Sequence, residues 1–251
     1  MVFRLAEYEN FLKVLRDSGR RIQTVAEFLE TPDSKSIILR HDVDRKVRRS
    51  LAMARIETGN DVEASYYFRF RHGFPVDAIQ EVAELGHEVG FHYETLSDAK
   101  GDRDRAIAMF LNQLEEFRKI QSCRTICAHG NPLSPWFSGD LAIEFIKAGN
   151  GLLGDASGSV PNDKVLYFTD SGGRWNDSSV NLCDNLGVMP ALENPLNPDT
   201  LRRVLQEKRS LYISTHPERW TQDAFSGFAQ WLEDSSKAAI KKIIRILRGI
   251  A

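Results

Sequence analysis

The stretch Ser36-Ile37-Ile38-Leu39-Arg40-His41-Asp42-Val43-Asp44 carries the densest chemistry in the chain. An apolar run bounded by polar residues marks a strand buried on both faces, and this one ends in a histidine and two aspartates. With the two-residue repeat of an extended chain, Asp42 and Asp44 share one side, and His41 and Val43 share the other. Two carboxylates that close cannot both ionise cheaply unless a cation neutralises one, so the pair suggests acid/base work or a bound metal. The plainer alternative is that Asp44 caps a helix starting at Arg45 while Asp42 sits in a polar turn.

Six histidines occur in the chain, and three of them, His92, His129 and His216, follow runs that read as strands. An aspartate with two histidines is a suitable oxygen and nitrogen set for zinc, which needs three protein ligands and an open position to activate water. His41, His72 and His87 are read as structural. Cys123 and Cys127 are four apart with no second pair, which fits small buried residues better than a zinc knuckle.

The elements that must position these groups follow from periodicity. Tyr8, Phe11, Leu12 and Leu15 recur at helical spacing before Gly19, and a second short pattern, Val25, Phe28 and Leu29, stops at Pro32. After Asp44 a helix runs through Val47, Leu51 and Ala54 to Gly59, then a strand over 62–70, a helix over 75–85 and a strand over 88–92. Ile107, Phe110, Leu111, Leu114 and Phe117 mark a long helix. Beyond it come strands over 124–128, 151–154, 165–169, 188–192 and 211–215, with helices over 141–147 and 201–208. Alternation of strand and helix argues a parallel sheet, open or closed, with crossover helices covering it. Such sheets and barrels place their sites at the carboxyl ends of the strands, so Asp42, Asp44, His92, His129, Asp170 and His216 are expected on one rim. The loops over 154–164 and 171–186 are expected to overhang it.

Composition bounds the function. With 251 residues, 42% apolar and 27% charged, the chain reads as one α/β domain. A net charge of −2 shows no basic excess and argues against nucleic acid as a partner, leaving a small substrate. No signal peptide or run of about 18 apolar residues is visible, and three cysteines do not make a disulfide framework; a cytoplasmic setting is expected.

Five segments in order, Arg40-His41-Asp42-Val43-Asp44, Gly86-His87-Glu88-Val89-Gly90-Phe91-His92, Ala128-His129-Gly130-Asn131-Pro132, Asp170-Ser171-Gly172-Gly173-Arg174-Trp175 and Ser214-Thr215-His216-Pro217, resemble the polysaccharide deacetylase family. This is the NodB-like family 4 of carbohydrate esterases, and the resemblance spans residues 36 to about 220. It implies a distorted (β/α) barrel of about seven strands, a divalent metal with zinc as first candidate, and removal of an acetyl group from an N-acetylated sugar. By position, Asp42 resembles the family's catalytic base, Asp44 its metal-binding aspartate and His92 its first metal histidine. His216 resembles the general acid, and Asp170, Arg174 and Trp175 lie in the segment that lines the groove. Trp175 and Trp136 are expected either to stack on a sugar or to pack their loops.

The chain departs from the family at three points. Val43 separates two aspartates that are usually adjacent, so which one faces the metal stays open. Leu96 stands where a second metal histidine is usual; His129 is the expected replacement and Glu94 the competitor. The third segment carries His129 where an arginine is usual, leaving Arg124 and Arg174 as candidates for that charge. The reading divides the chain into an N-terminal helical leader packed on the outside (1–35), the barrel (36–236) and a basic amphipathic helix (237–251). In the last, Ile240, Ile243, Ile244, Leu247 and Ile250 form a stripe opposite Lys237, Lys241, Lys242, Arg245 and Arg248. That helix either packs on the barrel or lies weakly on the inner-membrane surface. The expected substrate is an N-acetylated precursor of a surface polysaccharide or lipopolysaccharide. The rivals are a sugar-binding or scaffold protein without metal, and an amidase acting on a non-sugar amide. The sequence does not indicate an oligomeric state.

Overall fold

The computed structural model describes residues 3–131, 134–161, 163–177, 186–192 and 196–247, with side chains in the last helix through 237 and at 239. The chain begins with β1 (Phe3–Arg4), α1 (Leu5–Asp17), β2 (Ile22–Gln23), α2 (Val25–Glu30) and β3 (Ile37–Val43). Strands and helices then alternate: α3 (Arg48–Thr58), β4 (Ser65–Arg69), α4 (Val76–Glu84) and β5 (Glu88–Tyr93). Next come α5 (Thr95–Asp98), α6 (Arg103–Ile120), β6 (Thr125–Ala128), α7 (Ala142–Lys147), β7 (Gly154–Asp155) and β8 (Val165–Thr169). The chain closes with α8 (Pro198–Val204), β9 (Ser210–Thr215), β10 (Trp220–Thr221) and α9 (Ala224–Leu247).

β3 sits near the centre of a parallel sheet of order β7-β6-β5-β4-β3-β9-β8, and these seven strands curl into a half-barrel. The expectation of a curled parallel α/β sheet therefore holds, with an open form; among the described residues β7 and β8 do not pair. The expected strand over 188–192 is reduced to a single bridge between Leu166 and Val188.

Alternation along each strand separates two cores. Ile37, Leu39 and Val43 of β3, with Tyr66, Phe68, Phe91 and Ile213, face outward into the layer of helices. Ile38, Tyr67, Cys127, Val165, Tyr167 and Tyr212 face inward and fill the half-barrel.

Within the N-terminal segment α1 packs on the outside, in the helix layer beside α3, whereas β1 and β2 join strands and α2 enters the inner core. β2 pairs with the start of β3 (Ile22 with Ile37), and β1 pairs with β10. Thr24 and Glu27 form a capping box that starts α2, and Val25 and Phe28 then enter the inner core. The α2 backbone also donates to the sheet's polar floor: Val25 N to Ser65 Oγ at 2.8 Å and Ala26 N to Glu88 Oε2 at 3.0 Å. α2 thus plugs the amino-terminal end of the half-barrel because its apolar face and its free amide donors both find partners there.

At the other end of the chain, the expected boundary at 237 falls inside one continuous helix, α9. The side chains of Ile240, Ile243, Ile244, Leu247 and Ile250 lie outside the described residues. No helix among the described residues is long and apolar enough to cross a membrane.

Gly90 faces the barrel interior between Glu88 and His92, and a Cβ there would lie 2.6 Å from both the Thr125 carbonyl oxygen and the Tyr67 ring. Neither obstacle is a flexible chain end. Gly90→Ala is expected to destabilise the fold by about 1–3 kcal/mol, the usual range for overpacking. Urea unfolding checks this, and unchanged stability would mean that Tyr67 does not fill the interior.

Candidate metal centre

β3 delivers the first two site residues. Asp42 is the last inward residue of the strand, and the chain then turns, with Asp44 N donating to the Asp42 carbonyl at 3.1 Å. The strand therefore does not stay extended through Asp44, yet both carboxylates approach one histidine. His92 Nε2 lies 3.4 Å from Asp44 Oδ1 and 3.9 Å from Asp42 Oδ2.

His92 ends the inward face of β5, and its Nδ1 donates to the Cys127 carbonyl oxygen at 2.9 Å. A carbonyl only accepts, so this bond fixes the proton on Nδ1 of the neutral ring and turns the Nε2 lone pair toward Asp44. His129 follows β6, and its Nδ1 donates to Glu94 Oε2 at 3.1 Å while its Nε2 also lies 3.4 Å from Asp44 Oδ1. Glu94 is in turn paired with Arg69. Burial disfavours charge on His129, but Asp44 and Glu94 outweigh it and raise the imidazole's pKa.

Asp44, His92 and His129 thus direct three ligand atoms at one point, all within 4.8 Å of one another. The residues fit a cation in three respects. Asp44 Oδ1 is buried and accepts no hydrogen bond from the described residues, leaving a lone pair near two ring nitrogens. The two 3.4 Å separations match the edge of a tetrahedron whose ligands stand about 2.0–2.1 Å from zinc. Each histidine also donates from its far nitrogen to an oxygen, as metal-bound imidazoles do. Glu94, the sequence competitor, supports His129 from behind and is not one of the three. Burial raises its pKa, but the His129 and Arg69 contacts prevail and hold the carboxyl down at about 2.

Asp42 belongs to a different environment. Arg40, two residues earlier on the same face, grips it with Nε on Oδ1 at 2.8 Å and Nη2 on Oδ2 at 2.5 Å. Burial opposes ionisation of Asp42, and Arg40 with His92 overcomes it, so the carboxyl is held far below its ordinary range. Arg40 is therefore the cation beside this carboxylate, and the expectation of Arg124 or Arg174 is corrected. Arg124 pairs with Glu30, and Arg174 is solvent-facing beside Asp177.

On the neighbouring strand β9, Thr215 pairs in register with His41, which sets His216 next to Asp42 across the sheet. His216 Nδ1 donates to Asp170 Oδ1 at 2.7 Å. Burial and Arg219 push the imidazole's pKa down, and Asp170 with Asp44 more than reverses them, leaving it raised to about 9. Asp170 also accepts from the His216 amide, Arg219 and Trp220 Nε1. It is fully buried, so its expected place in a substrate groove is corrected to the orientation of His216. Trp175 is corrected too: its ring packs with Phe3, Phe11 and Trp220 in the outer core, and the pocket it borders there includes none of Asp44, His92, His129 and His216. Trp136, after His129, is 40% exposed.

His41 and His87 are structural, as read: both sit in the outer layer around Glu57, with His41 Nε2 at 2.7 Å from its Oε1. His72 is exposed on the rim. Among residues the sequence reading passed over, Glu218 is fully buried beside the site, where burial and the charge of Asp44 raise its carboxyl to about 7. Its place directly after His216-Pro217 was the available signal. No family model, curated protein or solved structure matches the chain.

The chain is expected to bind about one divalent ion, which elemental analysis of the purified protein measures. Asp44→Ala and His92→Ala should lose it, and His129→Ala should lose most of it. Glu94→Gln should keep the ion with about 10–100-fold weaker affinity, as for other partners that orient a metal-bound histidine. Full occupancy in His129→Ala would remove that residue from the ligand set.

Proposed function

We propose that the protein is a metal-dependent hydrolase that removes an N-acetyl group from a sugar in a precursor of a surface polysaccharide or lipopolysaccharide. The observation that carries this reading is the flanking of the Asp44-His92-His129 cluster by an ionised carboxylate, Asp42, and a histidine held protonated, His216. Hydrolysis of an amide needs those two partners, one to take a proton from attacking water and one to give a proton to the departing amine.

A divalent ion held by Asp44, His92 and His129 would supply a water of lowered pKa and polarise the amide carbonyl. Asp42 takes the proton as water attacks the acetyl carbon. Arg40 does not sharpen Asp42 as a base, because a depressed pKa weakens its hold on a proton; it keeps the carboxylate ionised and fixes its plane. His216, anchored through Nδ1 on Asp170, delivers a proton from Nε2 to the leaving nitrogen. The products are acetate and a free amino sugar. A protein that had lost its metal set is the less favoured reading, because His129 completes a three-ligand cluster with Asp44 and His92. An amidase on a non-sugar substrate would use the same groups, so acetate release across N-acetylated nucleotide sugars and lipid-linked glycans is the discriminating assay.

The exposed face of α9 supports a weak membrane contact near lipid-linked substrates. Phe225 is 83% exposed, and Phe228 and Leu232 also face solvent on the part of the helix that precedes the basic tail. The full chain should sediment with anionic vesicles at low salt and be released at high salt, and a chain ending at Ser236 should bind less. A full chain that stays in the supernatant at low salt rules this contact out.

For the chemistry, Asp42→Asn should retain metal and lose about 10²–10⁴-fold in turnover. Loss of metal together with activity, in a variant that circular dichroism shows to be folded, would reverse the roles of Asp42 and Asp44. The folded pKa of His216 lies above its free value, so the acid is in place at neutral pH and is lost as pH rises through about 9. A cation on Asp44 moves that limb lower by offsetting a charge that raises it. Turnover against pH should therefore fall on the alkaline side, and His216→Ala should be slow and lack that limb.

A further inference from the structure

Beside the candidate metal centre lies a cavity of about 490 Å³ that Asp44 itself helps to line. Its charged lining consists of Asp44, Arg45, Lys46, Arg69 and Arg71, four permanent cations against one carboxylate, with His72 at its edge. From these residues we infer that the cavity is a phosphoryl subsite, which holds a phosphate or pyrophosphate group of the substrate while its neighbouring sugar reaches Asp44.

Three side-chain observations converge on an anion. Arg69 is only 9% exposed, and its terminal nitrogen pairs with Glu94, but its Nε is buried without a hydrogen-bond partner. A buried cationic N–H that finds no partner among the described residues is costly, and its charge adds to the positive wall of the cavity. Arg71 is exposed and forms no ion pair among the described residues. Arg45 and Lys46 share Glu233 with Lys237, so three cations divide that carboxylate, although Glu218 also lies 3.4 Å from Arg45.

The backbone adds to this. Val47 and Pro75, which line the cavity, are the N-terminal caps of α3 and α4, and neither cap carries a side-chain hydrogen bond. Two helix N-termini thus border one space and their dipoles favour an anion there, although the Arg49, Ser50, Val76 and Ala78 amides already donate to nearby carbonyls and Asp77 in the first turn of α4 is an opposing charge. Lys46 and His72, neither a glycine, adopt left-handed backbone angles, φ 50° and 55°, at the two turns that carry the lining. Such strain persists where the surroundings over-determine it, and it collects at ligand sites.

The subsite rests on the proposed deacetylation only for the identity of the attached sugar. Its test is calorimetric binding to the metal-loaded full chain of N-acetylglucosamine 1-phosphate against N-acetylglucosamine. Wild type should prefer the phosphate about tenfold, the yield of one charge-assisted contact. Arg71→Glu, at an exposed position, and Lys46→Asn, which tolerates the left-handed backbone, should each reduce the preference and leave metal content and neutral-sugar affinity unchanged. His92→Ala should retain the preference even with its metal lost. Equal affinities in wild type, or a preference that survives Arg71→Glu and vanishes in His92→Ala, would overturn the subsite, the latter by putting the phosphate on the metal. Two further arms name the source of the phosphoryl group: a soluble uridine-diphosphate N-acetyl sugar, and vesicles bearing a polyprenyl-pyrophosphate N-acetyl sugar. Arg71-dependent binding in either arm supports the subsite, and binding in neither rejects it. Phosphate preference without any acetate release would reject the hydrolase reading and leave the subsite standing.

Discussion

The buried ion pair between Arg40 and Asp42 is the constraint on which the rest of the site depends. Both side chains point into the half-barrel, where an unpaired charge would be severely penalised and a bidentate pair is tolerable. Arg40 also reaches the Tyr212 hydroxyl at 3.3 Å and the Ala156 carbonyl oxygen at 3.4 Å. One guanidinium therefore fixes the candidate base, ties β3 to β9 and reaches across the interior to the segment after β7. Removing either partner strands the other charge in a dry space, so the pair is as much a folding requirement as a chemical one.

The two-residue repeat of the strands is what sorts chemistry from scaffold. On β3 it sends Arg40 and Asp42 inward and His41 outward, where His41 meets Glu57 and Thr215 under α1 and α3. Tyr8 and Tyr66 complete that outer network on Glu57. Two buried polar clusters thus lie back to back on one strand, one facing the rim and one locking the helices. A slip of one residue in the register of β3 would exchange them.

Much of this was legible in the sequence, because it depends on local pattern. The strand ends at Asp42, His92, His129 and His216 follow from apolar runs, and a parallel sheet necessarily gathers such ends on one rim. What was not legible depends on packing across the sheet. The same alternation that paired Asp42 with Asp44 places Arg40 on their face, but an arginine inside a barrel contradicts the usual preference of charges for water. Arg124 and Arg174, nearer in order to the expected motifs, drew the charge instead. Asp170 and Trp175 look like rim residues because they follow β8, and only the third dimension reveals that His216, Arg219, Trp220 and Phe3 already surround them. The leader misleads for a related reason: the apolar positions of a six-residue helix do not reveal that its free amides end on Ser65 and Glu88.

The seam that stays open between β7 and β8 among the described residues has a mechanical meaning. In a closed barrel, strand number and stagger set the girth once and for all. A hoop left unjoined has no such fixed circumference, and its width is set by whatever clasps the ends. Here the clasp is the Ala156 carbonyl, which receives the Tyr212 hydroxyl at 2.7 Å and the outstretched Arg40. The guanidinium that braces Asp42 therefore also gauges the bore, so any spreading of the hoop is felt at once by the carboxylate beside the candidate metal centre.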